Sequence, residues 1–439
     1  MKGRDRFVDT RPLRGGGPFR DLWIGSTFSQ FGGQTAMVAV LAQVWELTGS
    51  PVGTGTIGLV TGVATLLFGL LGGSLADAVD RRTVVRATSC GQLLIAAALC
   101  AQALSDNRNA GLLLALVAAG SACGALGAPA RRTFPVRLLP ADQVAAGLAL
   151  SNISFQTAML AGPAAAGLII AQWGLPAAYA VQAATAAVSL LATLRLPPMP
   201  PEGTGKAGNG RRRAERGGWR IVTRRPTLWG ALATDLSATL LAMPVALFPL
   251  VNEARFHGDP RTLGLFLSAV AVGGITAGLL SGTVTRRPGA GRVQLTAAGL
   301  WGLALAGFGL AEPLWLALGC LAVAGAADTV SVVTRNALVQ LETPDAYRGR
   351  VSSVEYVIGV GGPELGNFRG GLLASVTSAP FSLVAGGLSA AVAVAVVAAV
   401  NAPLRTYRTP SPAPPEQPAP VGTPGADATE GATSPGVPS

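Results

Sequence analysis

Residues 51–82 read PVGTGTIGLVTGVATLLFGLLGGSLADAVDRR, an uncharged run of small and apolar side chains that ends in two Asp and two Arg residues. A helix needs about 20 mostly apolar residues to cross the hydrocarbon of a bilayer, and this run is longer. The charged residues after it avoid a large desolvation cost only outside the hydrocarbon. The stretch therefore predicts a membrane helix over 54–76 followed by a charged loop.

The same length criterion predicts twelve membrane spans along the chain. They run approximately over 22–47, 54–76, 84–104, 111–129, 143–171, 176–194, 228–251, 262–284, 293–311, 314–334, 351–375 and 380–402. The first continues too far beyond its basic flank, without a small-residue cleavage site, to be a removable signal peptide. We therefore predict an all-α membrane protein with twelve transmembrane helices.

The composition agrees with a lipid environment and argues against several classes of enzyme. Only 13% of the 439 residues are charged, against about a quarter in soluble domains. There is one His, no phosphate-cradling Gly-Lys-Ser/Thr loop and no Cys pair at metal spacing, so neither ATP-driven transport nor a metal site is indicated. We expect no cofactor and no enzymatic activity.

The basic residues predict the orientation of the chain. Most of the 33 Lys and Arg residues fall in the N-terminus and in alternate loops, while the other side carries Arg108, Arg255 and Arg261. Because basic loops stay cytoplasmic, both termini are expected in the cytoplasm. The net charge of +11 is explained by these loops near anionic headgroups, and nucleic-acid binding is not expected.

The chain divides into two related halves. In the loop after helix four Arg132 precedes Asp142 by ten residues, and after helix ten Arg335 precedes Asp345 by ten. Duplicated six-helix halves leave such a repeat and place the substrate between them. We predict a basic N-terminus (1–21), a first half (22–195), a linker (196–227), a second half (228–403) and a disordered tail (404–439), the tail being too polar and Pro-rich to fold.

The loop after the second span resembles the signature of the major facilitator superfamily. Gly73 is followed by Asp77 and the basic pair Arg81-Arg82, while Asp80 replaces the usual second Gly and predicts a less tight turn. The resemblance implies the two-half fold and a gate. In that gate Asp77 faces the positive N-terminal end of helix eleven, with Arg132 nearby. The alternative is a basic loop that only sets orientation.

Further stretches resemble the enterobactin-exporter branch of that superfamily. Gly162-Pro163 with Gly167 in helix five is similar to an exporter motif whose small residues permit close contact and bending of helices. The resemblance continues through Arg348-Gly-Arg350, which with Arg335 and Asp345 forms the second half's share of the gate. Gly361-Gly-Pro-Glu-Leu-Gly-Asn-Phe-Arg369 completes it. Asn367 stands where this branch is expected to carry an acidic residue.

Ionisable residues inside a span are costly and usually functional. We expect the proton-coupling residue at Asp235, which has no basic neighbour along its helix, with Glu364 and Glu355 as the next candidates. Arg369 could clamp an anionic substrate or pair with Glu364. The expected aromatic contacts to a planar substrate are Trp23, Phe31 and Phe155. For each the alternative is ordinary packing or hydrogen bonding between helices.

These patterns together predict a monomeric secondary transporter that exports a small organic molecule by proton antiport. The favoured substrate is a siderophore or a related aromatic natural product, and the nearest alternative is a multidrug or antibiotic exporter of the same fold. A membrane scaffold is disfavoured because it gains nothing from charge in lipid. The expected partners are the substrate, protons and the lipid bilayer.

Overall fold

The computed structural model describes residues 9–14, 17–199, 220–285, 289–343 and 347–408. In these ranges the chain is helical and contains no strand. The long helices are α1 (Pro18–Thr48), α2 (Pro51–Ala78), α3 (Arg81–Leu104), α4 (Ala110–Arg132), α5 and α6 (together Val144–Leu194), α7 (Pro226–Ala242, continued by Phe248–Phe256), α8 (Pro260–Thr285), α9 (Ala290–Leu310), α10 (Leu314–Glu342), α11 (Arg348–Val376) and α12 (Ala379–Val400).

The all-α membrane class is confirmed, and the count of twelve depends on three further features. Nine helices of the described chain are long and apolar enough to cross a membrane. The 51-residue stretch Val144–Leu194 counts among these as one, but Gly174 (φ 77°, ψ 179°) is non-helical within it and separates α5 (144–173) from α6 (175–194). The other two, α1 and α11, have 31 and 29 residues and carry more polar groups.

Local sequence signals set where the helices begin and end. Pro51 opens α2, and the Ser50 hydroxyl accepts a hydrogen bond from the Val52 amide at 3.3 Å. Gly49 ends α1 in the left-handed conformation (φ 55°), which glycine adopts without steric cost. The turn between α1 and α2 is therefore only two residues long and makes the helices antiparallel.

Because consecutive helices alternate in direction, the loops fall at two ends of the bundle. We call the end where α1 begins and α12 ends the basic end, and the opposite end the far end. Large apolar side chains such as Leu279, Trp315 and Val376 are 83%, 74% and 76% exposed. In water such exposure would be unfavourable, but on the rim of a membrane bundle these side chains contact lipid.

The two halves meet closely through glycines near the far end. Gly264 of α8 lies against Pro163 and Gly167 of α5, where a Cβ on Gly264 would stand 3.3 Å from Gly167 Cα. The Ser268 hydroxyl of α8 donates to the Leu160 carbonyl at 2.8 Å. The predicted small-residue motif of helix five thus lies at an interface between the halves, and Gly162 packs on Gln34 of α1.

The predicted boundary of the tail at 404 was placed too early. Residues Ala402–Arg405 form a short helix, and the Leu404 side chain is fully buried. The Asn401 side chain donates to the Pro226 carbonyl at 2.6 Å. The folded region therefore extends to at least residue 408, and the remainder of the predicted tail lies outside the described residues.

Candidate functional site

A cavity of about 500 Å³ lies midway along the bundle between the two halves. Helices α1 to α4 and α6 line it from the first half, and the break in α7 and the middle of α11 line it from the second half. Most lining side chains are apolar, among them Met37, Leu41 and Ile57. The volume is that of a site for a drug-sized ligand.

Few polar groups line this central cavity, and two of them come from α11. Glu364 lies over Gly58 of α2, where a Cβ would stand 2.9 Å from a Glu364 carboxylate oxygen. Asn367 is buried, and its side-chain oxygen accepts from the Ala246 amide at 3.2 Å. Asn367 therefore satisfies backbone freed by the break in α7, which is a packing role that an ionised carboxylate would also meet.

The first half contributes two glutamines that the sequence analysis did not identify. Gln92 of α3 and Gln182 of α6 both line the central cavity, and the buried Oε1 of Gln182 has no hydrogen-bond partner among the described residues. A lone Gln in an apolar run gives little sequence signal, because polar residues between membrane helices are common. Both glutamines therefore place an amide in the cavity wall, with the Gln182 oxygen buried against the protein.

The central cavity is linked to the basic end by shared lining residues. A small cavity of about 120 Å³ shares Gln92 and Gln182 with it. That small cavity shares Ser29 with a third cavity of about 630 Å³ between α1, α4 and α5. We call this third cavity the vestibule. The three form a chain from the basic end to the middle of the bundle.

Two of the three aromatic residues predicted to contact the substrate line a cavity, and the third does not. Trp23 and Phe155 line the vestibule, as does the predicted gate residue Arg132. Phe31 is not among the described lining residues of the vestibule or of the central cavity. Its carbonyl oxygen would lie 3.5 Å from a Cβ on Gly162, so this part of α1 packs on α5.

An ion cluster connects α7, α10 and α11. The Arg335 guanidinium pairs directly with the Asp235 carboxylate, and its Nε lies 3.9 Å from a Glu355 oxygen. The side chains of Arg335 and Asp235 are only 8% and 12% exposed. When the Asn336 amide is oriented with its nitrogen toward these acceptors, it donates to Glu355 at 2.8 Å and to the Val332 carbonyl at 3.3 Å. Asp328 lies two turns before Arg335 in α10, close enough to interact electrostatically with Arg335 and Asp235.

This cluster corrects two of the sequence-based premises. Arg335 was assigned to the loop after helix ten, but α10 continues to Glu342 and Arg335 is buried within it. Asp235 was expected to lack a counter-charge, and that premise is wrong because its partner comes from another helix. The charge of Arg335 ended the predicted span early, although an ion pair makes such a residue tolerable in the bundle.

Arg369 lies outside the described lining of the central cavity. Its guanidinium donates to the Leu241 carbonyl, one residue before the end of the Pro226–Ala242 segment of α7. No ion pair between Arg369 and Glu364 is found among the described residues. A cation at a helix C-terminus is stabilised by the helix dipole, so the geometry gives Arg369 a capping contact, and the substrate clamp stays a prediction.

The last residues of the predicted first-half gate, from Asp80 to Arg82, are held by hydrogen bonds to the backbone. The Asp80 carboxylate accepts from the Arg82 amide at 2.8 Å and from the Met199 amide at 3.2 Å. Asp80 is therefore the N-cap of α3, which explains why Asp is accommodated there. The guanidinium of Arg82 donates to the Leu196 carbonyl at 3.4 Å, and the Arg81 amide bonds to Met199.

Other gate residues are only partly described. Gly73 and Asp77 lie in the last turns of α2, and Arg348 and Arg350 in the first turn of α11, but the side chains of Asp77, Arg348 and Arg350 lie outside the described set. Asp345 lies outside the described residues. The expected contact between Asp77 and α11 therefore stays a prediction.

Comparison with known proteins identifies the family. Residues 10–421 match the transmembrane secretion effector family. The chain belongs to this family. It is a branch of the major facilitator superfamily, so the protein is a multi-pass membrane transporter of small molecules, and the resemblance inferred from the motifs is confirmed.

Enterobactin exporters are among the relatives of this chain. It is 27% identical to the enterobactin exporter EntS of Citrobacter koseri over 391 residues, covering 86% of this chain and 90% of that one. It is 28% identical to EntS of Shigella flexneri, covering 77% and 81% of the two chains. These levels of identity show common descent without fixing the substrate.

Solved structures of other transporters share the fold. The nucleoside transporter NupG superposes with a TM-score of 0.66 at 14% identity, covering 88% of this chain and 98% of that one. A bacterial homologue of the iron transporter ferroportin, in an inward-facing state, superposes with a TM-score of 0.67 at 16% identity, covering 88% and 98%. The likeness establishes the major facilitator fold.

Proposed function

We propose that this transporter exports a siderophore or a related phenolic natural product by proton antiport. The basic end faces the cytoplasm in this proposal, because basic loops resist translocation. The substrate passes from the vestibule to the central cavity, and the halves then rock to release it at the far end.

The observation that carries the proposal is the set of hydrogen-bonding groups in the central cavity. The Glu364 carboxylate is an acceptor, the side-chain amides of Gln92 and Gln182 can accept or donate, and no Lys or Arg is among the described lining residues. Acceptors without a cation favour a neutral ligand that brings hydroxyl donors. Phenolic hydroxyls have pKa values near 10, so iron-free catechols keep these donors at neutral pH.

The ion cluster supplies a route for coupling to protons. Asp235 and Glu355 share the one guanidinium of Arg335, so a proton on either carboxylate leaves Arg335 to the other. Such competition links protonation to the relative positions of α7, α10 and α11. In antiport, a change in these positions opens the central cavity to one side at a time.

The apolar lining supports a second candidate, a multidrug or antibiotic exporter. Side chains such as Met37 and Leu41 impose few directional demands, and flexible apolar surfaces admit varied ligands. The two candidates differ in whether hydroxyl donors on the substrate are required.

The test compares cells with and without the gene. Under iron starvation we expect the gene to raise release of catecholate siderophores, with little change in resistance to a panel of lipophilic antibiotics. Glu364→Gln removes the acceptor charge and should reduce siderophore release, while Glu253→Gln, at an exposed carboxylate near the far end, should not. Broad changes in resistance without a change in siderophore release would select the multidrug function.

A further inference from the structure

One carboxylate of α10, that of Asp328, is exposed on a face of the helix that is otherwise buried. An α-helix turns about 100° per residue, so Asp328 lies within about 20° of Arg335 around the helix axis. Arg335 is buried, and so are the other residues within about 20° of Asp328, which are Ala317, Leu321 and Val339. Of these five residues, Asp328 is the exposed one.

The side of α10 that faces lipid is a different one. Trp315, Val323 and Leu341 are 74%, 45% and 56% exposed, and Asp328 lies about 140° from each of them around the axis. Protein atoms surround the Asp328 carboxyl group. Its exposure is therefore to a space inside the bundle, and water in that space reaches the carboxylate.

Asp328 has charged neighbours but no partner. It makes no hydrogen bond and no ion pair with the described residues. The charges that act on it are those of Asp235 on α7 and Arg335 on its own helix. Helices α8 and α9 also pack on α10, but their charged residues in the described ranges, Arg261 and Arg292, lie at the helix ends.

The three carboxylates of the ion cluster differ in what they lose on protonation. Asp235 gives up a direct ion pair with Arg335, and Glu355 gives up its approach to the same guanidinium at 3.9 Å. Asp328 gives up neither kind of contact, and its negative charge inside the bundle is costly. Protonation of Asp328 therefore breaks no contact and removes its repulsion with Asp235.

We propose that Asp328 is the group through which protons enter and leave the ion cluster. Its carboxylate takes a proton from water on its open side and becomes a neutral carboxylic acid, and the reverse step returns the proton to water. Because the neutral acid no longer repels Asp235, the proton favours Asp235 over Glu355 as the partner of Arg335. This inference rests on the proposed proton antiport and names the residue that exchanges the proton with water.

The first test measures protonation directly and needs no transported substrate. The full chain is purified into phosphatidylcholine nanodiscs and titrated, while infrared difference spectra record the C=O stretch of protonated carboxylic acids. We expect a titrating band that is lost in Asp328→Asn, shifted in Asp328→Glu and unchanged in Glu253→Gln, at an exposed carboxylate near the far end. A spectrum of Asp328→Asn equal to that of the parent protein would overturn the proposal.

Access of water to position 328 is tested by cysteine labelling. In a chain whose four cysteines are replaced by Ser, Asp328→Cys should react with a charged thiol reagent about tenfold faster or more than Val323→Cys, since the reactive thiolate forms in contact with water. Val323 is the matched control because it is exposed on the lipid side of the same helix. Equally slow reactions at the two positions would overturn the proposal.

Transport of iron-free enterobactin by proteoliposomes then tests the role of the proton. Asp328→Asn should lose accumulation driven by a proton gradient but retain exchange without a gradient, and the exchange rate should no longer depend on pH. Asp328→Glu should recover part of both properties. Because Asp328 has no partner to lose, Asp328→Asn should unfold as the parent protein does, unlike Asp235→Asn.

Uphill transport by Asp328→Asn equal to that of the parent would overturn the proposal, and so would a large loss of stability in this variant, because Asp328 would then be a packing group. A parent protein that shows the Asp328 band and labelling but moves no enterobactin would refute the proposed export function alone.

Discussion

Breaking the Asp235–Arg335 ion pair tests both what holds the helices together and how export is coupled to protons. The pair is direct, and the side chains of Arg335 and Asp235 are 8% and 12% exposed, so solvent screens it little. Removing one partner of a buried pair leaves an uncompensated charge and costs about 3–5 kcal/mol. We expect the size of this effect to depend on which partner is removed.

Arg335→Gln should be the more damaging change. It leaves Asp235 and Glu355 facing each other, with Asp328 nearby, and no cation in the described cluster. We expect a loss near the upper end of about 3–5 kcal/mol in the free energy of unfolding. Asp235→Asn keeps a hydrogen-bond acceptor, and Arg335 retains Glu355 at 3.9 Å, so its loss should be nearer about 1–3 kcal/mol.

The double variant Asp235→Asn/Arg335→Gln then measures the coupling. Its loss should be smaller than the sum of the single losses by at least about 1 kcal/mol, since the two residues contact each other. The assay is unfolding of the detergent-solubilised protein. Glu342→Gln is the control, because the Arg225–Glu342 pair is 3.8 Å long and more exposed and such pairs contribute about 0–1 kcal/mol.

Transport by the same variants tests whether the ion pair couples substrate export to proton movement. Asp235→Asn should lose gradient-driven efflux from loaded vesicles but retain substrate binding and downhill exchange. Uphill export by this variant would exclude Asp235 as the proton carrier and move the test to Glu355 or Glu364. Additive losses of stability in the double variant would show that the two charges do not interact, which would refute the cluster itself.

Three further predictions concern the gate, the interface and the topology. Asp77→Asn should insert normally but lower transport about tenfold, the effect of about 1–2 kcal/mol on a two-state gate, and transport equal to the parent's would leave only an orienting role. Gly55→Leu should impair transport because a Cβ there would stand 3.1 Å from the Phe368 Cα; Gly299→Leu, where a Cβ meets nothing within 4 Å, should not, and equal effects would refute close packing as the cause. Reporter fusions after residues 108 and 257 should report the outside and after 210 and 420 the inside, and a reversal at 210 would contradict the two-half arrangement.

The arrangement of helices was accessible from the sequence because lipid imposes a length on every span. The predicted spans 143–171 and 176–194 already separate where Gly174 breaks the helix. The ends of the spans were harder to predict from the sequence where a charged residue occurs. α10 runs past Arg335 to Glu342, because a partner on α7 offsets the cost of the charge.

The candidate site could be predicted from the sequence only in part, for a related reason. Ionisable residues in spans drew attention to Asp235 and Glu364, but whether each has a partner depends on helices far away in the chain. Arg131 was passed over as one more basic residue at a helix end, although its Nε is buried in the wall of a cavity. Gln182 had no signal at all, since neutral polar groups are tolerated anywhere between membrane helices.

The contacts around Met199 have a consequence for how the protein could be assembled. Asp80 and the Arg81 amide fasten residue 199 to the first half. On the other side of the linker, Pro226 is fastened to the second half through Asn401. Each half therefore holds its own end of the linker, and a cut between 200 and 219 would release neither. We expect the two halves, co-expressed as separate polypeptides, to reassemble and to transport without a covalent linker.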